Sequence, residues 1–314
     1  MLSGTLITLL GAGLWGLNAV VSKYLMACGI DTMWMVNFRM ITSGLVLLIF
    51  ALFKNPHGIF DIWKDRKAVM RLLVISVFAF GLCQPTYYIS IDYSNAGIAS
   101  AIQQTAPVFV LIYVIIKERR KPFPAELSAL ALVIAGSFLI STHGDLGALA
   151  VHPLALVSGL ISALCCALYI TLPADLIKRY GTFETVGWGL FLGGIIIAPF
   201  CKLWNFPAQW DATLIAGMIF IILPGAAFAF ALFLYGTSIV GPVRGGVYNL
   251  FEPVTALVAS VLMLNQSFHP TEIGGTAAIL AGIAILTVAK EKDNTDNNPF
   301  CLTYIIRSST TQVY

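Results

Sequence analysis

The sequence predicts an all-α integral membrane protein with ten transmembrane helices, arranged as two inverted five-helix repeats. Three observations carry this. Hydrophobic residues make up 58% of the 314-residue chain and charged residues only 11%, against roughly 25% charge in soluble domains; the mean hydropathy is +0.87. The apolar residues gather into ten stretches, each about long enough to cross a ~30 Å hydrocarbon core. The chain also matches itself at a spacing of about 146 residues: Pro107 falls on Pro253, Pro124 on Pro270, Glu126 on Glu272, and Ala135-Gly136 on Ala281-Gly282, while Gln103 falls on Asn249 and stays an amide. Five spans per copy is an odd number, so the second copy enters the membrane from the opposite side.

The expected spans are 4–26, 31–53, 69–90, 95–116, 125–142, 153–173, 184–204, 212–234, 243–264 and 272–289. The first repeat covers 1–142, the second 143–290, and 291–314 is a tail without a fold of its own. The fifth and tenth spans start after Pro124 and Pro270, a favourable helix-opening position. The first span does not read as a signal peptide. It has no basic start, it is too long, and it carries Asn18 with no small-residue cleavage site behind it.

Lysine and arginine set the orientation. One side of the expected bundle carries Lys54, Lys64, Arg66, Lys67 and Arg71, then Lys117, Arg119, Arg120 and Lys121, then Lys178, Arg179, Arg244, Lys290 and Lys292. The other side has only Lys23 and Lys202 near its edges. Basic loops stay in the cytoplasm, so both termini are expected there, in a multi-pass plasma membrane protein of bacterial type. Connections 143–151 and 265–271 are then outside.

Composition and motifs exclude several classes. The net charge of +3 reflects where the loops lie and gives no nucleic-acid surface. No phosphate-cradling Gly-rich loop with Lys-Ser/Thr is present, which argues against ATP hydrolysis. The histidines, His57, His143, His152 and His269, fall in connections, which argues against an intramembrane metal site. The six cysteines, Cys28, Cys83, Cys165, Cys166, Cys201 and Cys301, lack metal spacing and read as small hydrophobes. No hydrolase pattern is visible in the spans, so no enzyme and no cofactor are expected.

A group of residues resembles a known family. Trp15-Gly16-Leu17-Asn18 with Lys23 in the first span, Phe38-Arg39 in the second, Tyr87-Tyr88 closing the third and Pro107-Val108-Phe109 in the fourth are joined by Glu252-Pro253-Val254 in the ninth and Ala281-Gly282 in the tenth. Together they resemble the EamA branch of the drug/metabolite transporter superfamily, over about residues 3–290. The resemblance implies ten helices in two inverted repeats and transport of a small solute. Departures are that Glu118 stands closer to Pro107 than the family's usual Gly-Glu pair, that Gln266 is neutral at the second-half equivalent, and that Cys166-Ala167 is the counterpart of Trp15-Gly16. Substrate identity therefore does not carry over from any one relative.

Charges inside spans cost roughly 2.5–3.5 kcal/mol on insertion scales, so they must gain something in the folded state. Two readings stand for Glu252. Either it exchanges a proton during transport, or it fills the backbone gap that Pro253 opens. Arg39 either orients an anionic group of the solute or satisfies nearby helix ends. Lys23 reads as a snorkelling residue. Pro107 and Pro253 break helices at equivalent places, and each shares a face with an amide four residues earlier, Gln103 or Asn249. Tyr248 and Glu252 border the second of these stripes.

Further polar stripes run along Trp15, Asn18 and Ser22, along Ser158, Ser162, Cys166 and Tyr169, and along Gln84, Tyr87 and Tyr88. They face either a cavity or neighbouring helices. The expected substrate cavity comprises Trp15, Asn18, Gln84, Tyr88, Gln103, Tyr169, Tyr248 and Asn249, with Arg39 and Glu252 as the charge-coupling pair. One clear arginine suits a small amphipathic solute better than a phosphorylated sugar. Gly189/Gly193 and Gly241/Gly245 have close-approach spacing and read as internal packing, in a monomer or weak homodimer. Asn265-Gln266-Ser267 forms a sequon. The function expected is a secondary carrier, an exporter of metabolites, amino acids or drug-like compounds working by alternating access, with the proton as a possible coupling ion. The alternative is a non-transporting membrane scaffold or sensor.

Overall fold

The computed structural model describes residues 2–56, 58–93, 96–142, 152–204, 211–264 and 270–296. Among them every regular element is helical. The helices are α1 (Leu2–Ala27), α2 (Thr32–Lys54), the short α3 (Asp61–Lys64), α4 (Arg66–Val74), α5 (Cys83–Asp92), α6 (Ala96–Gln103), α7 (Ala106–Glu118) and α8 (Pro124–Thr142). They continue with α9 (Pro153–Thr171), α10 (Pro173–Tyr180), α11 (Thr182–Ile197), α12 (Ala212–Ile222), α13 (Ala229–Val240), α14 (Pro242–Asn249), α15 (Phe251–Leu264) and α16 (Pro270–Asp296). Six continuous helical runs are long and apolar enough to cross a membrane: Leu2–Ala27, Thr32–Lys54, Arg66–Asp92, Pro153–Tyr180, Ala212–Val240 and Pro242–Met263. Shorter apolar helices cover Pro124–Leu139, Thr182–Ile197 and Ile273–Ile285.

Local chemistry explains where these helices start and bend. Asp31 and Asp211 cap α2 and α12, each accepting the N–H three residues on at 2.7 Å. Gly241, at φ +92, turns the chain between α13 and α14 and has open space around its Cα. The Gly241/Gly245 spacing expected as close packing is therefore a turn followed by a contact of Gly245 with Thr237. Prolines shape the rest. Pro85 has no N–H for the Gly81 carbonyl one turn earlier, and the chain between α4 and α5 widens into a π-helical stretch, Ile75–Gly81. Pro224 does the same between α12 and α13, where Leu223–Phe228 is π-helical. Just ahead of Pro107 and Pro253 the helix stops altogether, after Gln103 and after Asn249.

Small residues set the closest helix contacts, as expected where lipid offers no hydrophobic drive for association. Helices α8 and α16 run antiparallel: a Cβ on Gly136 would lie 2.5 Å from the Gly275 carbonyl, and one on Gly282 would lie 2.9 Å from the Ala129 carbonyl. Helices α2 and α11 are also antiparallel, with Gly194 against Ile41 and Gly187 against Leu48. Asn37 adds a hydrogen bond from Nδ2 to the Gly194 carbonyl at 2.8 Å. Helix α1 packs between α13 and α15, while α9 packs on α5, α6 and α7. Gly189 and Gly193 face Phe80 and the Ser76 carbonyl, inside the bundle.

The ends of the α2–α11 pair are tied by tryptophans. Trp34 Nε1 donates to the Leu203 carbonyl and Trp188 Nε1 to the Ile59 carbonyl, each at 3.0 Å. At the Trp188 end, Arg179 and Tyr180 of α10 reach Asp65 Oδ2 at 2.7 and 3.2 Å. Asp65 also caps α4, and the Lys67 N–H in particular holds its carboxyl below the usual range. The Arg120 guanidinium grips Glu126 at 2.6 and 2.8 Å, which raises the arginine further above its ordinary value.

The last helix runs on to Asp296, into the segment expected as a tail, because Ala289–Lys292 is composed of strong helix formers. The connection 143–151, the sequon at Asn265, residues His57, His143, His269 and Cys301, and the tail beyond 296 lie outside the described residues.

Candidate functional site

The interior of the bundle is built around four rings. Trp15 of α1, Phe80 of the first π-helical stretch, Tyr169 of α9 and Phe230 of α13 meet with centroids 4.8–6.1 Å apart. Most cross edge-to-face, and Phe80 stacks on Tyr169 at 9°. Such pairs contribute about 0.5–1.5 kcal/mol each beyond area burial. They also give the interior a flat, rigid wall. Tyr169 OH accepts from the Cys166 thiol at 3.0 Å.

A small cavity opens beside this wall. Phe80, Tyr169 and Phe230 line it together with Arg39 and Met40 of α2 and Cys83 and Gln84 of α5. Its volume is ≈ 20 Å³, room for about one water molecule. Trp15 stands one layer back, supporting Tyr169 and Phe230. Phe80 comes from the π-helical stretch and Gln84, four residues on, from the α-helix that follows it.

Arg39 is half-buried and lines this space. Tyr88 lies within its electrostatic reach, and so does Glu252 of α15. Glu252 is also half-buried. Arg39 thus lines the cavity from α2, while Glu252 stands on α15 outside its lining. They close no ion pair, and among the described residues neither side chain has a hydrogen-bond partner.

The remaining expected residues divide. Gln103 Nε2 donates to Ser162 Oγ at 2.7 Å, and Ser162 donates to the Cys83 carbonyl at 2.8 Å, so Gln103 reaches the cavity edge through Cys83. Pro107 is buried at the start of α7. Asn18 is buried against the second π-helical stretch. A Cβ on Gly225, next to the lining residue Ala226, would lie 2.5 Å from Asn18 Oδ1. Tyr248 is fully buried in a separate apolar core with Val133, Val240 and Ile279, its hydroxyl 3.5 Å from Thr5. Asn249 is buried at the second helix break, and its Oδ1 has no partner among the described residues. Lys23 is exposed.

Phe80, Cys83 and Phe230 were not legible as lining residues. Phe80 does share a face with Gln84, four residues on, but an aromatic in an apolar span carries no such mark by itself. Gly16 has a role that its sequence motif hides. A Cβ there would lie 2.5 Å from the Glu252 carbonyl and 2.6 Å from the Ala256 amide nitrogen, so the Trp15-Gly16 step is where α1 crosses α15 beside Glu252.

The chain is 30% identical over 286 residues to an uncharacterized inner membrane transporter, YicL, of Salmonella typhimurium, covering 91% of this chain and 95% of that one. It is 25% identical to the threonine/homoserine exporter RhtA of Escherichia coli, over 78% of this chain and 79% of the relative. It is 24% identical to protein PecM of Dickeya dadantii, over 79% and 80%. A solved crystal structure shares the fold with a TM-score of 0.77 at 15% identity, covering 92% of this chain and 98% of its own. The EamA-like transporter family model matches residues 2–142 and 153–288. A multi-pass membrane protein with an aromatic-walled, charge-bearing interior, matched along nearly its whole length in this way, belongs to the EamA-like transporter family.

Proposed function

We propose that the protein is a secondary carrier that exports small organic solutes by alternating access between two inverted five-helix repeats, 1–142 and 143–290, with both termini in the cytoplasm. The observation that carries this reading is the pairing of helix interruptions between the two halves, with one π-helical stretch of each half lining the cavity. A π-helical stretch and a helix break in the first half, at Ile75–Gly81 and after Gln103, have counterparts at Leu223–Phe228 and after Asn249. Carriers built from inverted repeats place substrate and coupling ions at such discontinuous helices.

The closest packing supports the repeat. In α8–α16 the contact of Gly136 with Gly275 is the image of the contact of Gly282 with Ala129, each residue shifted by about 146 positions. In α2–α11 the contact of Ile41 with Gly194 is likewise the image of Gly187 with Leu48. Contacts that map onto themselves on exchange of the halves are those expected on a pseudo-two-fold axis. The family model resumes at 153, close to the boundary between the repeats.

A water-sized cavity, with Trp34 and Trp188 tying opposite ends of the α2–α11 pair, suits an occluded form. The exporter direction draws on the resemblance to RhtA, a threonine/homoserine exporter. The site in this reading comprises Arg39, Gln84, Tyr88 and Tyr169 at the cavity, Trp15 behind it, and Asn18, Gln103, Pro107, Tyr248, Asn249 and Pro253 at the breaks and supporting contacts. Glu252 is the group that exchanges a proton, since it is a half-buried carboxyl inside a span whose side chain has no hydrogen-bond partner among the described residues.

Efflux from proteoliposomes tests this. Glu252→Gln keeps the shape of a protonated carboxyl. It is expected to lose accumulation driven by a pH gradient while keeping solute exchange at equal concentrations. Full gradient-driven transport by the variant would remove the proton role. A membrane-impermeant thiol reagent on a single cysteine at Asn265 checks orientation, and labelling from the cytoplasmic side alone would overturn it.

A further inference from the structure

Asp65 uses its two carboxylate oxygens differently. Oδ1 caps α4, accepting the Lys67 N–H at 2.9 Å and the Ala68 N–H at 3.4 Å. Oδ2 reaches across to α10, where it accepts from Arg179 at 2.7 Å and from the Tyr180 hydroxyl at 3.2 Å. Beside it, Asp175 of α10 stands 3.8 Å from Arg71 of α4 and 4.0 Å from Lys117 of α7. Each of these cross-helix contacts joins a residue before 143 to a residue after it. They gather at the Trp188 end of the α2–α11 pair, where Trp188 is also tied to the Ile59 carbonyl.

The opposite end keeps the cap and lacks the ion pairs. Shifted by 146 positions, Asp65 falls on Asp211, which caps α12 through the Leu214 N–H at 2.7 Å. The rest does not repeat. Arg179 falls on Met33, Asp175 on Gly29, Arg71 on Gly217 and Lys117 on Met263, while Tyr180 falls on Trp34, which has no hydroxyl. Among the described residues Asp211 forms no ion pair. The packing of α2 on α11 behaves in the other way, since the contact of Ile41 with Gly194 and that of Gly187 with Leu48 map onto each other. Contacts that repeat at both ends suit a pivot that stays closed. Contacts present at one end alone bias a two-state equilibrium, because they are made in one state and lost in the other.

We propose that Asp65, Arg179 and Tyr180, with Asp175 between Arg71 and Lys117, form a one-sided latch between the two halves. The latch holds α10 against α4 and α7 and parts each time the cavity opens at the Trp188 end. Opening at the Trp34 end breaks no such ion pair among the described residues. This rests on the carrier reading above, and it names the residues that bias the side to which the cavity opens. The strength of the contacts suits that use. The Arg179 and Asp175 side chains are 66% and 63% exposed, so water and salt screen each pair and none locks the bundle shut. Asp65 is the least exposed member, at 27%, and makes the shortest contact, so it is the place to release the latch.

Cys83 lines the cavity and reports on its opening without an added cysteine. Right-side-out and inverted membrane vesicles holding the full chain are treated with a small charged thiol reagent, and labelling of Cys83 is followed by peptide mass spectrometry. A separate Lys64→Cys variant, at an exposed residue next to Asp65, identifies the membrane face that carries the Trp188 end. Asp65→Asn removes the charge and keeps a good helix cap. Asp65→Asn and Arg179→Gln are each expected to raise the ratio of Cys83 labelling from the Trp188 face to labelling from the Trp34 face. The expected rise is about two- to fivefold, the range that one partly exposed ion pair supports. In the Asp65→Asn background Arg179→Gln should add nothing further, because both remove the same contact. Asp211→Asn, which keeps its cap and loses no ion pair, should leave the ratio at the parent value. Thermal unfolding of each purified variant in detergent checks that it is folded, and if Arg179→Gln is not, Asp65→Asn against Asp211→Asn still decides. A ratio unchanged in folded Asp65→Asn, even with a lower unfolding temperature, shows a merely structural tie; it overturns the latch and leaves the carrier reading intact. A shift in Asp211→Asn as large as that in Asp65→Asn overturns the one-sidedness. Cys83 labelling that never reaches both faces, in the parent or in any variant, removes the carrier reading as well.

Discussion

At the first helix break the Gln103 amide donates to Ser162, which donates to the Cys83 carbonyl, so three helices are joined by one short chain of bonds. At the second break Asn249 is 8% exposed and its Oδ1 has no partner among the described residues. The difference has a local cause. Ala229 stands about 146 residues after Cys83. There the neighbouring helix offers Gly11, whose Cβ, if present, would lie 2.8 Å from the Ala229 carbonyl. A serine hydroxyl on α9 at one place is matched by bare backbone on α1 at the other. The gain at the second break is proximity: α1 comes close to both α13 and α15, and this brings it beside Glu252. The two halves share their helix interruptions, but one interruption is tied down and the other is left with an unused acceptor. This teaches that a repeat can keep its backbone plan while its polar groups specialise.

The comparison can be broken most sharply at Gly11. Gly11→Ser tries to rebuild the first break's hydroxyl at the second. Its Cβ would meet the Phe233 amide nitrogen at 2.6 Å as well as the Ala229 carbonyl. Backbone cannot yield as a side chain can, so the variant is expected to lose about 1–3 kcal/mol in detergent unfolding. A variant as stable as the parent would mean that the α1–α13 distance is not set by this glycine.

Ser162→Ala is the milder change at the first break. It removes the acceptor for Gln103 and the donor to Cys83. A loss of about 1 kcal/mol is expected, since interhelical bonds in membranes average ~0.6 and reach ~1.7 kcal/mol. Unchanged unfolding would show that the chain of bonds adds nothing to holding α6, α9 and α5 together. The smallest effect is expected at Asn249. Asn249→Leu removes an acceptor that has no partner among the described residues and keeps the branched shape, so stability should stay within about 0.5 kcal/mol of the parent. A loss well beyond that in the same unfolding assay would reveal a bond to Asn249 in the folded state, and the contrast between the two breaks would disappear.

Much of the helical framework is legible in the amino-acid sequence because its causes are local. Apolar runs of span length and prolines at 107 and 253 act within a turn or two of themselves. The expected span 95–116 indeed contains an interruption, although the chain breaks ahead of Pro107 and not at it. Parts of the site were legible for the same reason: Arg39 and Glu252 stand out as charges in apolar runs, and Tyr169 and Gln84 as polar groups on apolar faces. Tyr248 shows where that reasoning stops. It shares a helical stripe with Glu252, yet its ring is buried in a separate core with Val240 and Ile279.

By itself, then, the sequence determined that the chain is helical and membrane-embedded, that prolines interrupt two of its spans near 107 and 253, and which charges those spans must accommodate. These follow from hydropathy, proline geometry and the cost of burying charge, all of which a linear pattern carries. Only the tertiary structure decided that Phe80, Cys83 and Phe230 line the cavity, that Gln103 is tied through Ser162 while Asn249 Oδ1 has no partner among the described residues, and that Gly16 admits α1 to the Glu252 carbonyl. The physical reason is the solvent. In water an amphipathic stripe marks the buried face of a helix, whereas lipid tails are as apolar as a protein core. The inward and outward faces of these spans therefore read alike until helix–helix packing tells them apart.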